Sequence, residues 1–359
     1  MRNWIRSFTC TLLLLNLLIT PRYLAAQACT PPPPNLVGWW TGDGNAINLA
    51  GPNNGNLING VTFAPGYVGK AFVLNGTTQY VDVKKATRLN VSAGDFTVDA
   101  WVYFNSAAGD QSIVDKMDDN LGVNSNGWRL IEQGFQNQFW FCFGGVAGSN
   151  GCDYGTFTTV MSTTTAVAGN WYFVAAVKTS TQILIYVNGT LENTTQLGSF
   201  IDTNATDLLF GAKNSGGNHG AHLNGLVDEV ELFNRALAPS EISAIYNAGH
   251  TGKCKVEVAL SPGTLTFAAQ PVGTTSAPQP VTLKNKSPNG GVLNIASIST
   301  SGNFGQTNQC PSSLTAGQNC VIEVTFSPAT QGTLTGTLSV TDNTPNGLPQ
   351  KVKLAGTGQ

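Results

Sequence analysis

Charge is what this chain has least of. Asp, Glu, Lys and Arg make up 11% of its 359 residues, under half of the roughly 25% usual in soluble domains. Eighteen bases stand against 20 acids, a net charge of −2, so the basic footprint of a nucleic-acid binder is missing. Histidine is scarce as well. His219, His222 and His250 are the 3 in the chain, all in Gly-rich surroundings, and no CxxC pair accompanies them; that argues against zinc. No apolar run is long enough to span a bilayer, and no GxSxG nucleophile elbow occurs.

What is present is Gly, with 41 copies, together with Thr, Asn and short β-branched runs. The length suggests about two domains. The N-terminus reads as an export signal over residues 1–28: Arg2 and Arg6, then the apolar "CTLLLLNLLI", then the small residues of "AAQA" before cleavage after Ala28 or Ala26. Arg2, Arg6 and Arg22 leave with it and no acid does, so the remaining chain is more acidic. Cys29 then follows the cleavage point, which raises the question of a lipid anchor; the residue three before it is Ala26, where a lipoprotein signal usually has Leu.

Of 7 cysteines, Cys10 leaves with the signal. An even number in an exported chain reads as disulfides. Cys142 and Cys152 flank the turn-rich "FGGVAGSNG", and Cys310 and Cys320 flank "PSSLTAGQN". Cys29 and Cys254 remain, a bridge that would clip together the two ends of one domain and close a long loop.

"TPPPPN" makes residues 29–35 a stiff lead-in. Beyond it, "LVGWW", "KAFVLN", "QYVDV", "FTVDAWVYF", "QFWFCF", "WYFVAAVK" and "QILIYV" are strand-length runs separated by Gly, Asn and Pro. In "FTVDAWVYF", Phe96, Val98, Ala100, Val102 and Phe104 share one face, and Thr97, Asp99, Trp101 and Tyr103 the other. Asn188-Gly189 predicts a tight hairpin. "APSEISAIYNAG" predicts one short helix: Pro239 at its first position, Glu241 in the first turn, Ile242, Ile245 and Tyr246 as its apolar stripe, and Gly249 as a left-handed cap. After "GHTGKCKVEVALSPG" come about 100 residues of short strands, "PVTLKN", "VLNIASIS", "CVIEVTF", "TLTGTLSV" and "QKVKLAG", which read as an immunoglobulin-type β-sandwich without a Trp core.

These motifs carry a resemblance. "LVGWWTGDGNAINLAGPNNGNLINGVTFAPGYVGKAFVLNGTTQYVDV", "DFTVDAWVYF", "WYFVAAVKTSTQILIYVNGTLE" and "GLVDEVELFNRALAPSEISAIYNAG" resemble, in that order, LamG-like jelly-roll domains of the concanavalin A-like lectin/glucanase superfamily. The stretch from "LSPGTLTFAAQPVGTTSAPQPVTLKN" to "GTLTGTLSVTDN" resembles bacterial choice-of-anchor D and Hydin-type immunoglobulin-like repeats. The expected fold is all-β: a LamG-like jelly roll over residues 36–254, then an immunoglobulin-like sandwich over residues 258–357.

The first resemblance implies more. In that superfamily an Asp of the last strand often holds a structural calcium; Asp228 in "VDEVEL" is the matching position, and Asp43 in "GDGN" the partner near the start. Backbone carbonyls of the turn would complete the six to eight oxygens calcium takes. The chain departs from the pattern at Asn48, where an Asp is common, which weakens the site. Glu229 and Glu231 read as strand residues on faces set by alternation. Glucanases of this fold carry their acids on one strand, as E-x-D-x-E or a close variant. No such pattern occurs, and the nearest acidic cluster, "DKMDD" at residues 115–119, reads as a loop.

A binding role fits better. Trp101, Tyr103, Trp128, Trp140 and Tyr154 are candidates to stack on sugar rings, although aromatics in a sandwich more often serve its core. The expectation is a secreted, non-catalytic binding or adhesion protein that meets an extracellular glycan or a cell-surface protein, with the second domain as spacer. A purely structural cell-surface protein and a divergent polysaccharide-active enzyme are the alternatives.

Overall fold

The computed structural model describes residues 29–85, 87–118, 126–144, 152, 159–198, 206–215, 218–288, 290–345 and 348–359. The architecture is all-β. Two antiparallel sheets face each other in the first sandwich. One runs in the order Thr190–Gln196, Gln182–Val187, Trp171–Lys178, Phe96–Phe104, Asn224–Phe233, Lys70–Asn75 and Thr62–Pro65, with Leu36–Trp40 also paired to Asn224–Phe233. The other runs Thr159–Thr165, Gln138–Phe143, Asn126–Gln133, Gln111–Asp118, Leu208–Phe210, Tyr80–Val83 and Gly55–Ile58.

Side-chain alternation explains the core. Phe96, Val98, Ala100, Val102 and Phe104 all point between the sheets, where they meet Trp128, Phe139, Phe141, Phe210 and Val227. Each Val and Phe among them contributes about 1.5–3 kcal/mol through burial. The opposite face of the same strand is covered too. Its Trp101 joins Leu36, Trp39, Phe173, Phe233, Ile242 and Ile245 in a second apolar layer.

The Pro239–Asn247 helix supplies that cover. Its buried Ile242 and Ile245 and the half-buried Tyr246 are the predicted stripe. At its start the Glu241 carboxylate accepts the Ala238 N–H at 2.9 Å, one of the donors a helix start leaves unpaired. Arg235 donates to the same carboxylate at 2.7 and 2.6 Å. Gly249 has φ 56°, the left-handed conformation expected of it. Asn188 and Gly189, with φ of 50° and 78°, form the tight turn between the strands Gln182–Val187 and Thr190–Gln196.

The second sandwich packs a four-stranded sheet against a five-stranded one. Its core includes Val281, Ile322, Leu338 and Val352, with Phe267, Phe304 and Phe326 in mutual ring contact.

Candidate functional site

Alternation along Asn224–Phe233 breaks at one place. Asp228 lies opposite Trp101 and Glu231 opposite Asp99, so one extra residue is absorbed between them. That residue is Glu229, with φ 52°, a conformation costing a non-glycine residue about 1–2 kcal/mol. Strict period-two reading separates Asp228 from Glu231. The β-bulge resets the count and turns Asp228 and Glu231 to the outer face, with Glu229 beside them. The two glutamates therefore do not follow the faces that alternation predicts.

These acids meet two lysines from the segment after the helix. Lys253 forms ion pairs with Glu231 and, at 3.4 Å, with Glu229. Its ammonium also lies 5.1 Å from the centre of the Trp39 ring, within cation–π range. Lys255 reaches Glu229 Oε1 at 2.8 Å and Asp43 Oδ2 at 2.6 Å. The Trp39 indole N–H donates to Glu229 Oε2 at 2.9 Å. Asp99, Asp228, Glu229, Glu231, Lys253 and Lys255 are all buried.

Burial sets the protonation of this group. It pushes the Asp99 carboxyl well above the usual carboxylate range; the neighbouring Glu231 charge adds to the rise and Lys253 opposes it. Burial raises Asp228 likewise, with Glu229 adding and the Val68 N–H and Lys255 opposing. Glu231 is pushed up to about 7, again by burial first. For Lys253 burial acts downward, but Glu231, Glu229 and Asp99 outweigh it and hold the ammonium above its ordinary value.

Three of the four carboxylate oxygens expected to hold calcium are engaged otherwise, while Asp228 Oδ1 is buried without a hydrogen-bond partner. Asp43 Oδ1 accepts the Lys70 N–H at 2.8 Å, and Asp228 Oδ2 the Val68 N–H at 2.8 Å. Together they brace the turn that joins Thr62–Pro65 to Lys70–Asn75. Asn48 Oδ1 accepts the N–H groups of Trp39 and Ala50, both at 2.9 Å. Among the described residues no three acids, histidines or cysteines are grouped to hold a metal ion. With Lys255 against Asp43 and backbone donors on both aspartates, the pair leaves one carboxylate oxygen, Asp228 Oδ1, to an ion that takes six to eight oxygen ligands, a poor fit to calcium.

The aromatic candidates divide. Trp128 is wholly buried between the sheets, and Trp140 is buried as well. Trp101 is sealed on the outer face, stacked with Tyr67 at 3.4 Å between ring centres and with Tyr246 at 5.7 Å. None of the three offers an exposed ring to a ligand. Tyr154 lies outside the described residues. Tyr103 stays partly exposed and meets Trp171, its cross-strand partner, at 5.5 Å. Trp171 contacts Tyr67 at 6.1 Å, and Tyr67 stacks on the exposed His250 at 4.3 Å. Sequence reading missed Trp171, Tyr67 and His250. Trp171 had a signal, since it opens the strand that pairs with "FTVDAWVYF"; Tyr67 and His250 come from distant turns.

"DKMDD" is not a loop at its start. Gln111–Asp118 is a strand, and its buried Asp115 pairs with the buried Arg129. Burial raises the Asp115 carboxyl, against the pull of Arg129. The three disulfides are those expected: Cys29–Cys254, Cys142–Cys152 and Cys310–Cys320. With its sulfur in a bridge, Cys29 has none to offer a lipid thioether. These bridges fit an oxidising, extracellular setting. Among the described residues no helix is long and apolar enough to cross a membrane.

No curated protein matches the chain. Among solved structures, domain 4 of AbnA, an extracellular GH43 arabinanase from Geobacillus stearothermophilus in complex with arabinotriose, is similar at 15% identity and TM-score 0.44, covering 58% of this chain and 97% of that one. The binding domain of botulinum neurotoxin DC in complex with SialylT is similar at 11% identity and TM-score 0.46, covering 90% and 93%. Trypanosoma rangeli sialidase in complex with the inhibitor DANA is similar at 18% identity and TM-score 0.42, covering 62% and 35%. Residues 75–243 match the Laminin_G_3 family and residues 256–347 the ASH family, described as abnormal spindle-like microcephaly-associated, ASPM-SPD-2-Hydin. The chain thus carries a concanavalin A-like lectin/glucanase superfamily domain at residues 75–243, followed by a Hydin-type immunoglobulin-like domain at residues 256–347.

Proposed function

We propose that this is an exported, non-catalytic binding protein whose first sandwich recognises a carbohydrate or another cell-surface ligand, with the second sandwich as spacer. One observation carries the reading. Along the outer face of Phe96–Phe104, Thr97 is 0%, Asp99 1% and Trp101 3% exposed, and then Tyr103 opens to solvent. At that open end Tyr103 stands beside Trp171, with Tyr67 and His250 continuing the ring contacts. Sugar rings bind by laying their C–H faces on such aromatic surfaces, where an apolar body and a polar tip serve together. Tyr67 is fixed by its stack on Trp101, so little ordering is left to oppose binding.

The acids support the non-catalytic part. Glycosidases need two carboxyls flanking an accessible scissile bond. Asp99, Asp228, Glu229 and Glu231 are buried beneath Lys253 and Lys255 instead.

The test is a glycan array probed with the full chain and with Trp171→Ala. Binding to a defined glycan class, lost in the variant while its melting temperature holds, is the expected result. Turnover of a polysaccharide, abolished by one carboxylate substitution, refutes the non-catalytic reading.

A further inference from the structure

We infer that Lys253 and Lys255 form a built-in cation pair for the buried acids, Lys255 holding Asp43, one of the two aspartates where the family resemblance implied a calcium ion, and that the first sandwich needs no metal. Along Lys253-Cys254-Lys255 the side chains point to alternate sides. Cys254 turns one way, to its bridge with Cys29. The two lysines turn the other way, into the buried acids. The backbone is pinned on both sides of Lys253: the Thr30 N–H donates to Gly252 O at 3.1 Å, and the Cys254 N–H to Thr30 O at 2.8 Å. Neither ammonium reaches the cluster by a flexible surface excursion.

Lys255 performs the bridging a divalent ion would perform. It ties Asp43, near the start of the sandwich, to Glu229 on its last strand, at 2.6 and 2.8 Å. Lys253 does the same between Glu229 and Glu231 on one strand. A calcium ion between Asp43 and Asp228 would have to expel the Lys255 ammonium from Asp43. Chain connectivity holds the Lys255 backbone at the domain junction. Lys255 is buried in the first sandwich, and its neighbour Val256 belongs to the core of the second. No residue lies between the two roles, so the Lys255 backbone is fixed by the core of the next domain. The cation is supplied by covalent connection and cannot be chelated away.

The experiment uses the full, oxidised chain after metal depletion. Calcium is titrated into it calorimetrically, and thermal melts are run in millimolar calcium and in EDTA. The expected result is no calcium uptake and one melting temperature in both buffers. Lys255→Met lowers that temperature by about 10 °C in either buffer, because a buried pair loses one partner, while Lys255→Arg, which keeps the charge, loses far less. Stoichiometric calcium uptake by the wild type, with a rise in its melting temperature, overturns the inference. So does Lys255→Met melting like the wild type. Where Lys255→Met yields no folded protein, the wild-type titration decides alone.

Discussion

The Cys29–Cys254 bridge should be the costliest of the three disulfides to remove, for two separable reasons. It joins cysteines 225 residues apart, whereas Cys142–Cys152 joins cysteines 10 apart. In the chain-entropy account the stabilisation grows with the logarithm of the closed loop. That gives about 5 kcal/mol for the long bridge and about 3 kcal/mol for the short one. The long bridge also anchors Lys253 and Lys255, so its loss loosens the only ammonium groups paired with Glu229 and Glu231 among the described residues. The perturbations are the double variants Cys29→Ala/Cys254→Ala and Cys142→Ala/Cys152→Ala. Urea unfolding followed by tryptophan fluorescence is the assay, and it is selective: no Trp lies beyond residue 171, so the signal reports the first sandwich alone. The expected loss is about 2 kcal/mol greater for the long bridge. Its urea slope should also rise, because the unfolded chain is freed from a long loop and exposes more surface. Equal losses for the two variants, with equal slopes, would refute both the entropic argument and the anchoring role.

Stability should fall as pH rises from about 4.5 to about 7. Burial raises the Glu231 carboxyl from 4.5 to about 7, so stability present below the lower value is lost through the upper one, about 3 kcal/mol for this group alone; a melting temperature climbing across that window contradicts it. Gly189→Ala should destabilise by about 1–2 kcal/mol, since Gly189 has φ 78° and an added Cβ would lie 2.9 Å from the Tyr246 ring; a circular-dichroism melt unchanged from wild type is the opposing result. Trp101→Ala should cost about 3–5 kcal/mol in urea unfolding as a core deletion, and Tyr103→Ala less than about 1 kcal/mol as a surface one; the reverse order would place the exposed platform at the wrong residue.

Much of this fold was legible because its signals are local. The hairpin at Asn188-Gly189 needs two positive φ angles, and those two residues accept them most readily. The helix from Pro239 declares itself through its first residue, its stripe and Gly249. Cys142 with Cys152, and Cys310 with Cys320, close short turn-rich loops that a reader can see. What stayed hidden depends on contacts across the chain. No Gly or Asn marks Glu229 as left-handed, so the bulge cannot be read from "VDEVEL". Lys253 and Lys255 look like solvated charges until Cys254 is placed between them and fixed to Cys29. Trp101 shares its strand face with Thr97 and Asp99, a polar setting that suggested exposure. Tyr67 and the helix cover Trp101, the Arg235–Leu237 segment binds Thr97, and Lys253 lies near Asp99.

The same contacts narrow where a ligand can be met. A sheet covered on both faces has no open platform unless its cover stops short. Here the cover is the helix with Tyr67, and it ends between Trp101 and Tyr103. On the sealed side lie the charges, which are costly to bury and therefore need neighbours on all sides. On the open side lie Tyr103 and Trp171, rings that lose little by staying partly wet. The cluster and the platform are thus two ends of one arrangement. Tyr67 links them, since its ring packs on Trp101 while the turn carrying it is braced by Asp228 through the Val68 N–H. A loosened acid cluster would release that turn and, with it, one wall of the aromatic surface. Substitutions among the buried acids should therefore weaken binding without touching the ligand.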